Sequence, residues 1–469
     1  MTPIRSTHSF PPHVTIGPKE PFVDLHLHHR RDAARLRVLA EHHRRRKHRW
    51  QQQRRRRDCH RRHREQHGRR QPSPTTTSSS TSGPTSSDSE GVTGTTVGST
   101  GDDDSTGDSS SGGTTSGDDE EPPSTTFDER GCTIFVDQLT GDDGNSGKAK
   151  DQALATIKAA TGIVAAGDTV CVYPGDYGAF KNTAHGTADA RIHYVSVERW
   201  QAKVSAPTIP LQNVGDYVDI DGFEVTTTDE TVGLGISNGD GQLANHCRIF
   251  NNHVYGIVAK TRGGSGGAGI LSAGWVSQKP YQGEDVEIFN NFVHDIGNPG
   301  ENAGFVQGIY VSHPHAKVYN NIVYNVSGWG IHGWHNANHV TVANNLTSNT
   351  EGIVLGNGDS PCGQITCEFT DYYVANNILY ADRVGIVLYD GPNHLISHNN
   401  FYLTEPSGDD PTTDDPQLVG YALDPGGDFH LGPTSPMIDA GSPEYAPAFD
   451  FDGKARPKGV APDVGPYER

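Results

Sequence analysis

Between residues 218 and 400 the chain repeats one pattern of apolar and polar positions. A short run that alternates apolar and polar residues ends six times in an Asn-Asn doublet: Arg248-Ile249-Phe250-Asn251-Asn252, then runs ending at Asn290-Asn291, Asn320-Asn321, Asn344-Asn345, Asn376-Asn377 and Asn399-Asn400. The doublets fall 39, 30, 24, 32 and 23 residues apart. A second marker, Gly followed by Ile, opens another run at Gly269, Gly308, Gly330, Gly352 and Gly385. Val218-Asp219-Ile220-Asp221-Gly222 reads as an earlier unit with Asp-Gly in place of the doublet.

Period-2 runs of this length are strands. Two marked strands in a unit of about 23 residues leave no room for a helix in each repeat, which excludes βαβ units. Short strands coiled and stacked with parallel pairing fit instead, and crossovers between parallel strands are right-handed. The spacing therefore predicts an all-β, right-handed parallel β-helix solenoid over about 127–469. Asn suits the corners, because it tolerates the left-handed region and its amide bonds the backbone. An Ala-rich stretch at 153–165 predicts a short N-terminal capping helix over the first coil, where an open sheet edge would template aggregation. The tail motifs Ser435-Pro436-Met437-Ile438-Asp439-Ala440-Gly441 and Asp450-Phe451-Asp452-Gly453 are expected to seal the other end.

Charge changes the picture upstream of the solenoid. Residues 1–70 hold 20 Lys+Arg against 6 Asp+Glu, and the remainder holds 38 − 20 = 18 basic against 57 − 6 = 51 acidic residues. Like charges predict a disordered His/Arg-rich segment over 1–71. No aromatic interleaving marks that segment as a nucleic-acid grip. The Ser/Thr/Gly/Asp-rich stretch at 72–126 is too poor in apolar residues to offset its ordering entropy and reads as a flexible tether. No run of 18 apolar residues spans a membrane. No signal-peptide core is visible near Met1, so a mistaken upstream start is one explanation for residues 1–70. Six cysteines are few for a disulfide scaffold, but Cys362 and Cys367 bracket a four-residue loop that a local disulfide would close. No Cys/His metal spacing appears.

The doublet coils, with Ile134-Phe135-Val136-Asp137 before them and Asp463-Val464-Gly465-Pro466-Tyr467-Glu468 after, resemble the pectate-lyase-like superfamily of bacterial right-handed β-helix proteins, over about 132–468. The resemblance implies an extracellular or surface-tethered, monomeric protein that acts on polysaccharide. Lyases, hydrolases, epimerases and non-catalytic surface proteins share the fold. Calcium-dependent members carry clustered Asp ligands beside a Lys or Arg base. No such cluster is matched here, so no metal ligand is assigned and calcium stays open as a cofactor.

Stacking the coils turns sequence into columns. On the doublet strand one outward column reads Asp219, Arg248, Glu287, Lys317, an alternating charge ladder at ~4.8 Å spacing. The next reads Phe250, Phe289, Tyr319, an aromatic column able to stack sugar rings or to be covered by a loop. On the Gly-Ile strand, with each Ile inward, Tyr310 lies over His332 and Ser312 over Trp334. His313, His335, Asn357 and Asp390 fall at the strand's end, and Tyr389 points outward two coils along. Long segments at 259–285 and 356–371 are expected to wall a cleft there. For β-elimination on a uronate polymer, His332 or His335 is the candidate base and Tyr310 the acid. Lys260 or Arg262 would neutralise the carboxylate, with Trp334, His313 and Tyr389 binding sugar. Hydrolysis would need a carboxylate pair, for which Glu284 and Asp285 are the candidates. The competing reading is a tethered, non-catalytic surface or adhesion module.

Overall fold

The computed structural model describes residues 127–227, 232–236, 244–259, 266–273, 284–298, 303–335, 337–356, 370–389 and 391–469. The expected disordered segment 1–71 and the tether 72–126 lie outside the described residues, as do Lys260, Arg262, Asn357, Cys362, Cys367 and Asp390.

Among the described residues, the strands form three parallel sheets, each visited in chain order. The first has ten strands, from Ile134–Val136 to Leu395–Ser397. The second has nine, from Gly175–Tyr177 to Asn400–Tyr402, and the third has eight, from Phe180–Asn182 to Gly385–Leu388. The chain therefore coils as a right-handed parallel β-helix. Each full turn carries three strands, one more than the two sequence markers indicate. The doublet strand lies in the first sheet and the Gly-Ile strand in the third. Between them runs a strand such as Phe292–Ile296, which follows the doublet directly and has no marker of its own. Ile249, Ile288, Val318, Val342 and Val374 from the first sheet meet Ile270, Ile309, Ile331 and Ile353 from the third in one buried core.

The two asparagines of a doublet do different work. The first takes the left-handed region, at φ 57° for Asn251, 52° for Asn290, 53° for Asn320, 54° for Asn344 and 58° for Asn376. That conformation turns the chain from the first sheet into the second at little cost for Asn. The second asparagine points inward and joins a ladder. Asn291 Nδ2 donates to Asn321 Oδ1 at 3.0 Å, Asn321 to Asn345 at 2.9 Å, and Asn345 to Asn377 at 3.0 Å. Each also donates to a backbone carbonyl of the preceding coil, as Asn291 does to Ile249 at 2.8 Å. A buried amide stack with every donor occupied avoids the desolvation cost of an orphan.

Two corners differ from the sequence reading by one residue. In the last coil His398 takes the left-handed corner, at φ 53°, and Asn399 completes the ladder, accepting from Asn377 at 2.9 Å. Asn400 already belongs to the next strand. In the early coil Asp221 pairs with Phe250, so Gly222 and Phe223 stand in the doublet's place, with Gly222 at φ +73°.

The short N-terminal helix is present, and the C-terminal tail takes another path than the expected one. The capping helix is a single turn, Ile157–Ala160, whose N-cap Thr156 accepts from Ala159 N at 3.1 Å. Leu154 is instead bonded to Phe135 and bridged to Val136, which removes the start of the Ala-rich stretch from any helix. The C-terminal tail runs beside the coils rather than across their end. Asn320 Nδ2 donates to Phe449 O at 2.7 Å, Asn344 to Asp463 O at 2.9 Å and Asn376 to Ser442 O at 2.8 Å. Phe429, Met437, Phe451, Val464 and Tyr467 pack over Phe292, Ile322, Tyr324, Leu346 and Ile378 on the second sheet. Bridges from Asp409 to Ser397 and from Thr412 to Asn400 cover the last coil. A disulfide joins Cys132 to Cys171 in neighbouring coils, a pairing that sequence spacing did not reveal because 39 residues separate them.

Candidate functional site

The first sheet presents the charge ladder in the expected register: Asp219, Arg248, Glu287 and Lys317 are successive partners. Lys317 Nζ lies 2.9 Å from Glu287 Oε1, and Arg248 Nε lies 3.8 Å from Glu287 Oε2. Asp219 is held by Arg191, which the sequence reading omitted. Beside the ladder, Phe250 and Phe289 stack at 4.8 Å and 3°, and Phe289 and Tyr319 at 4.8 Å and 6°. Rings stacked this way along the coil axis spend their faces on each other. The column is thereby part of the scaffold's packing.

The third sheet is arranged otherwise. Leu271, Tyr310, His332, Val354 and Val387 form one column by register. Ile309 and Ile331 lie in the core, so their neighbours Tyr310 and His332 point away from it. The rings here meet nearly at right angles. Tyr310 and His332 have centroids 5.3 Å apart at 78°, and His332 and Trp334 lie 5.2 Å apart at 73°. Trp334 and Tyr389 lie 5.1 Å apart at 88°. His335 lies 6.3 Å from Tyr310 at 69°. Trp334 meets Tyr389 across Gly356, where a Cβ would come 2.3 Å from the Tyr389 ring, so only glycine lets the two rings meet. Trp329, Trp334, Val354 and Val384 form a buried outer cluster against which Tyr310, Val387 and Tyr389 pack.

His332 points outward as the alternation indicates, but it is not solvated. It is 4% exposed, and among the described residues neither ring nitrogen has a hydrogen-bond partner. Each orphan costs about 1–3 kcal/mol. Burial, and after it the charge of His335, pushes the His332 pKa down to about 3. The ring is therefore neutral and offers one N–H and one lone pair. A histidine so depressed is a weak proton acceptor, which alters the role expected of it. Tyr310 and His335 are half-buried and so more accessible.

The other named residues separate clearly. His313 is fully buried, with Nδ1 2.5 Å from Ser272 Oγ and a pKa lowered to about 4 by burial, so it is interior rather than part of the outer face. Asp285 lies 3.1 Å from His246 Nδ1 and 3.7 Å from His315 Nδ1, in a left-handed corner position. Its carboxylate is committed to those histidines. Lys260 and Arg262, the expected neutralising cations, lie outside the described residues, as does the Cys362/Cys367 pair. Among the described residues no group of three or more His, Cys, Asp or Glu side chains is arranged to hold a metal ion.

Two features escaped the sequence. Trp329 pairs with Gln307 and joins the third-sheet cluster. Its place immediately before the Gly330-Ile331 marker was the available signal. On the second sheet, His253 Nε2 lies 2.8 Å from His294 Nε2, and His294 Nδ1 lies 2.8 Å from Asp295 Oδ2. The His294 ring stacks on Tyr324 at 4.8 Å and 1°. Without a marker on that strand, its column was invisible.

With this geometry in view, comparison with known proteins adds little beyond architecture. No family model matches the chain, and no curated protein matches it. Among solved structures it is similar to pectate lyase Pel9A, at 16% identity and TM-score 0.38, over 72% of this chain and 96% of that one. It is also similar to XylC in complex with xylose, at 13% identity and TM-score 0.41, over 57% and 65%. A GH136 lacto-N-biosidase from Eubacterium ramulus follows at 13% and 0.39, over 61% and 67%. These likenesses are distant in both sequence and geometry. The parallel β-helix stands on the strand register itself.

Proposed function

We propose that the protein binds a polysaccharide strand on the outer face of the third sheet and acts on it as a polysaccharide lyase-like enzyme. The observation that carries this reading is the set of near-perpendicular rings around the unpartnered His332. Aromatic rings gathered on one outer face suit the apolar faces of pyranose rings. In β-elimination a base takes the C5 proton of a uronate, its electrons form the C4=C5 bond, and the C4–O bond breaks with a proton supplied to the leaving oxygen. Tyr310 and His335, the more accessible pair, carry the proton transfers in this scheme, with His332 packed behind them. The Cys132–Cys171 disulfide supports an extracellular location, since such bonds persist in oxidising surroundings.

A second reading, a non-catalytic surface module, is favoured by one observation: His332, at the centre of the rings, is buried and its pKa is pushed down to about 3, which makes it a weak base. A single screen decides between them. The full chain is incubated with pectate, alginate, glucuronan and neutral glycans, and unsaturated product is followed by ultraviolet absorbance alongside new reducing ends. Unsaturated product supports the lyase. Binding without any cleavage supports the adhesion module, and reducing ends without unsaturation would replace elimination by hydrolysis.

A further inference from the structure

We infer that the polar knot around Asp382 is a pH-sensitive latch in the last coils, closed while the Asp382 carboxyl carries its proton and loosened when the proton leaves. Asp295, Asn325, Asn349, Ala381 and Leu403 turn the chain out of the second sheet, all at φ between 52° and 56°. The residues after them, Ile296, Val326, Thr350, Asp382 and Thr404, are buried and stand one above the other, apolar in the earlier coils and polar in the last three. Asp382 is 1% exposed. Thr350 N donates to its Oδ1 at 2.8 Å, Thr350 Oγ1 lies 2.9 Å from the same oxygen, and Thr347 Oγ1 lies 2.5 Å from Oδ2. Thr404 Oγ1 accepts from Asp382 N at 2.9 Å. Among the described residues no cation is paired with this carboxyl. Arg383 turns its guanidinium to Glu351 Oε1 at 2.9 Å and to the carbonyls of Val326, Ser327 and Asn349. Tyr421, on the tail, spends its hydroxyl on Ser348 Oγ at 2.7 Å. A valine would hold this corner as Val326 does, whereas an unpaired buried carboxylate is costly. Burial favours the neutral acid and the three hydrogen bonds oppose it, a balance that pushes Asp382 up to about 6. An unfolded aspartate titrates near 3.9, so the folded chain holds this proton more tightly. The stability it contributes is fully present below about pH 3.9 and is lost as the pH rises through about 6. Loosening here reaches the third sheet directly, because Val384 and the strand Gly385–Leu388 follow, leading to Tyr389 of the outer cluster.

The test compares the full chain with its Asp382→Asn variant by denaturant unfolding at pH 5 and pH 8. Over that interval the parent's folding equilibrium is expected to fall roughly tenfold relative to the variant's. Every other titrating group, His332 included, is shared, so the difference isolates Asp382. Native-state hydrogen exchange on the parent, corrected for the intrinsic rate at each pH, gives a second reading that does not require the variant to fold. Protection over 378–389 is expected to fall roughly tenfold between pH 5 and pH 8 relative to protection over 218–225 in an early coil. Parallel pH profiles for parent and folded variant would overturn the inference. Equal changes in protection over the two segments would overturn it as well.

Discussion

Two aromatic columns stand on the same coils, one on the first sheet and one on the third, and they are built to opposite ends. Phe250, Phe289 and Tyr319 lie within 6° of parallel, and each buries its face against the next. Tyr310, His332, Trp334 and Tyr389 meet at 73° to 88° and cannot do so. The coil spacing of ~4.8 Å is the natural distance for stacked rings. Where every coil supplies a ring at one position, stacking is complete and the column becomes part of the scaffold. The third sheet breaks that regularity: Val354 and Gly356 stand where rings would continue, so the remaining rings turn on edge around a buried histidine. A solenoid thus separates scaffold from site by interrupting its own repetition.

The comparison can be broken by substitution. Tyr310→Phe removes only a phenolic oxygen and is expected to lower turnover by roughly 10²–10⁴ with the melting temperature unchanged. Normal turnover in this variant would remove Tyr310 from the chemistry. Trp334→Ala should weaken glycan binding by roughly 100-fold, about 2.7 kcal/mol, read by calorimetry after confirming the fold by circular dichroism. On the other column Phe289→Ala should cost about 2 kcal/mol of stability, as a denaturant midpoint shift, while leaving glycan affinity alone. A loss of affinity there would make the first sheet a binding face after all.

The pH dependence sharpens the contrast. Burial holds the folded His332 pKa at about 3, against an unfolded value near 6.5. Between those values the unfolded chain binds the extra proton, so stability is fully present above pH 6.5 and is lost as the pH falls towards 3. His332→Gln should be less acid-sensitive than the parent, by on the order of 1–3 kcal/mol at pH 4. His253 and His313 are depressed in both proteins, so the difference isolates His332. Parallel stability curves would show that the site is open to water. The smallest effect is expected for Lys317→Ala, a few tenths of a kcal/mol, because its ion pair with Glu287 is exposed. If that variant alone abolished cleavage, the doublet face would carry the chemistry.

Much of this architecture is legible in the sequence because a β-helix writes its corners as residues. Asn at a left-handed corner and Ile at an inward strand position recur coil after coil, and they placed Tyr310 over His332 and Glu287 between Arg248 and Lys317 correctly. The shift at Asn399-Asn400 was not legible, since His398 tolerates the corner as well as Asn does and leaves no gap in the pattern. Nor was the second sheet's strand, which has no recurrent residue to announce it. Burial of His332 escaped for a different reason. Period-2 alternation says which way a side chain leaves the backbone, but its exposure depends on Trp329 and Trp334, neither of which shares its column.

The outward asparagines have a consequence for how the molecule can change. Asn320, Asn344 and Asn376 each hold the tail at a fixed place, through Phe449, Asp463 and Ser442. The tail is therefore a ruler laid against the stack, graduated in coils. Duplicating or deleting one coil would leave its marks out of step, exposing the apolar residues that Met437, Phe451 and Val464 now cover. The number of coils cannot change unless the ruler is recut with it.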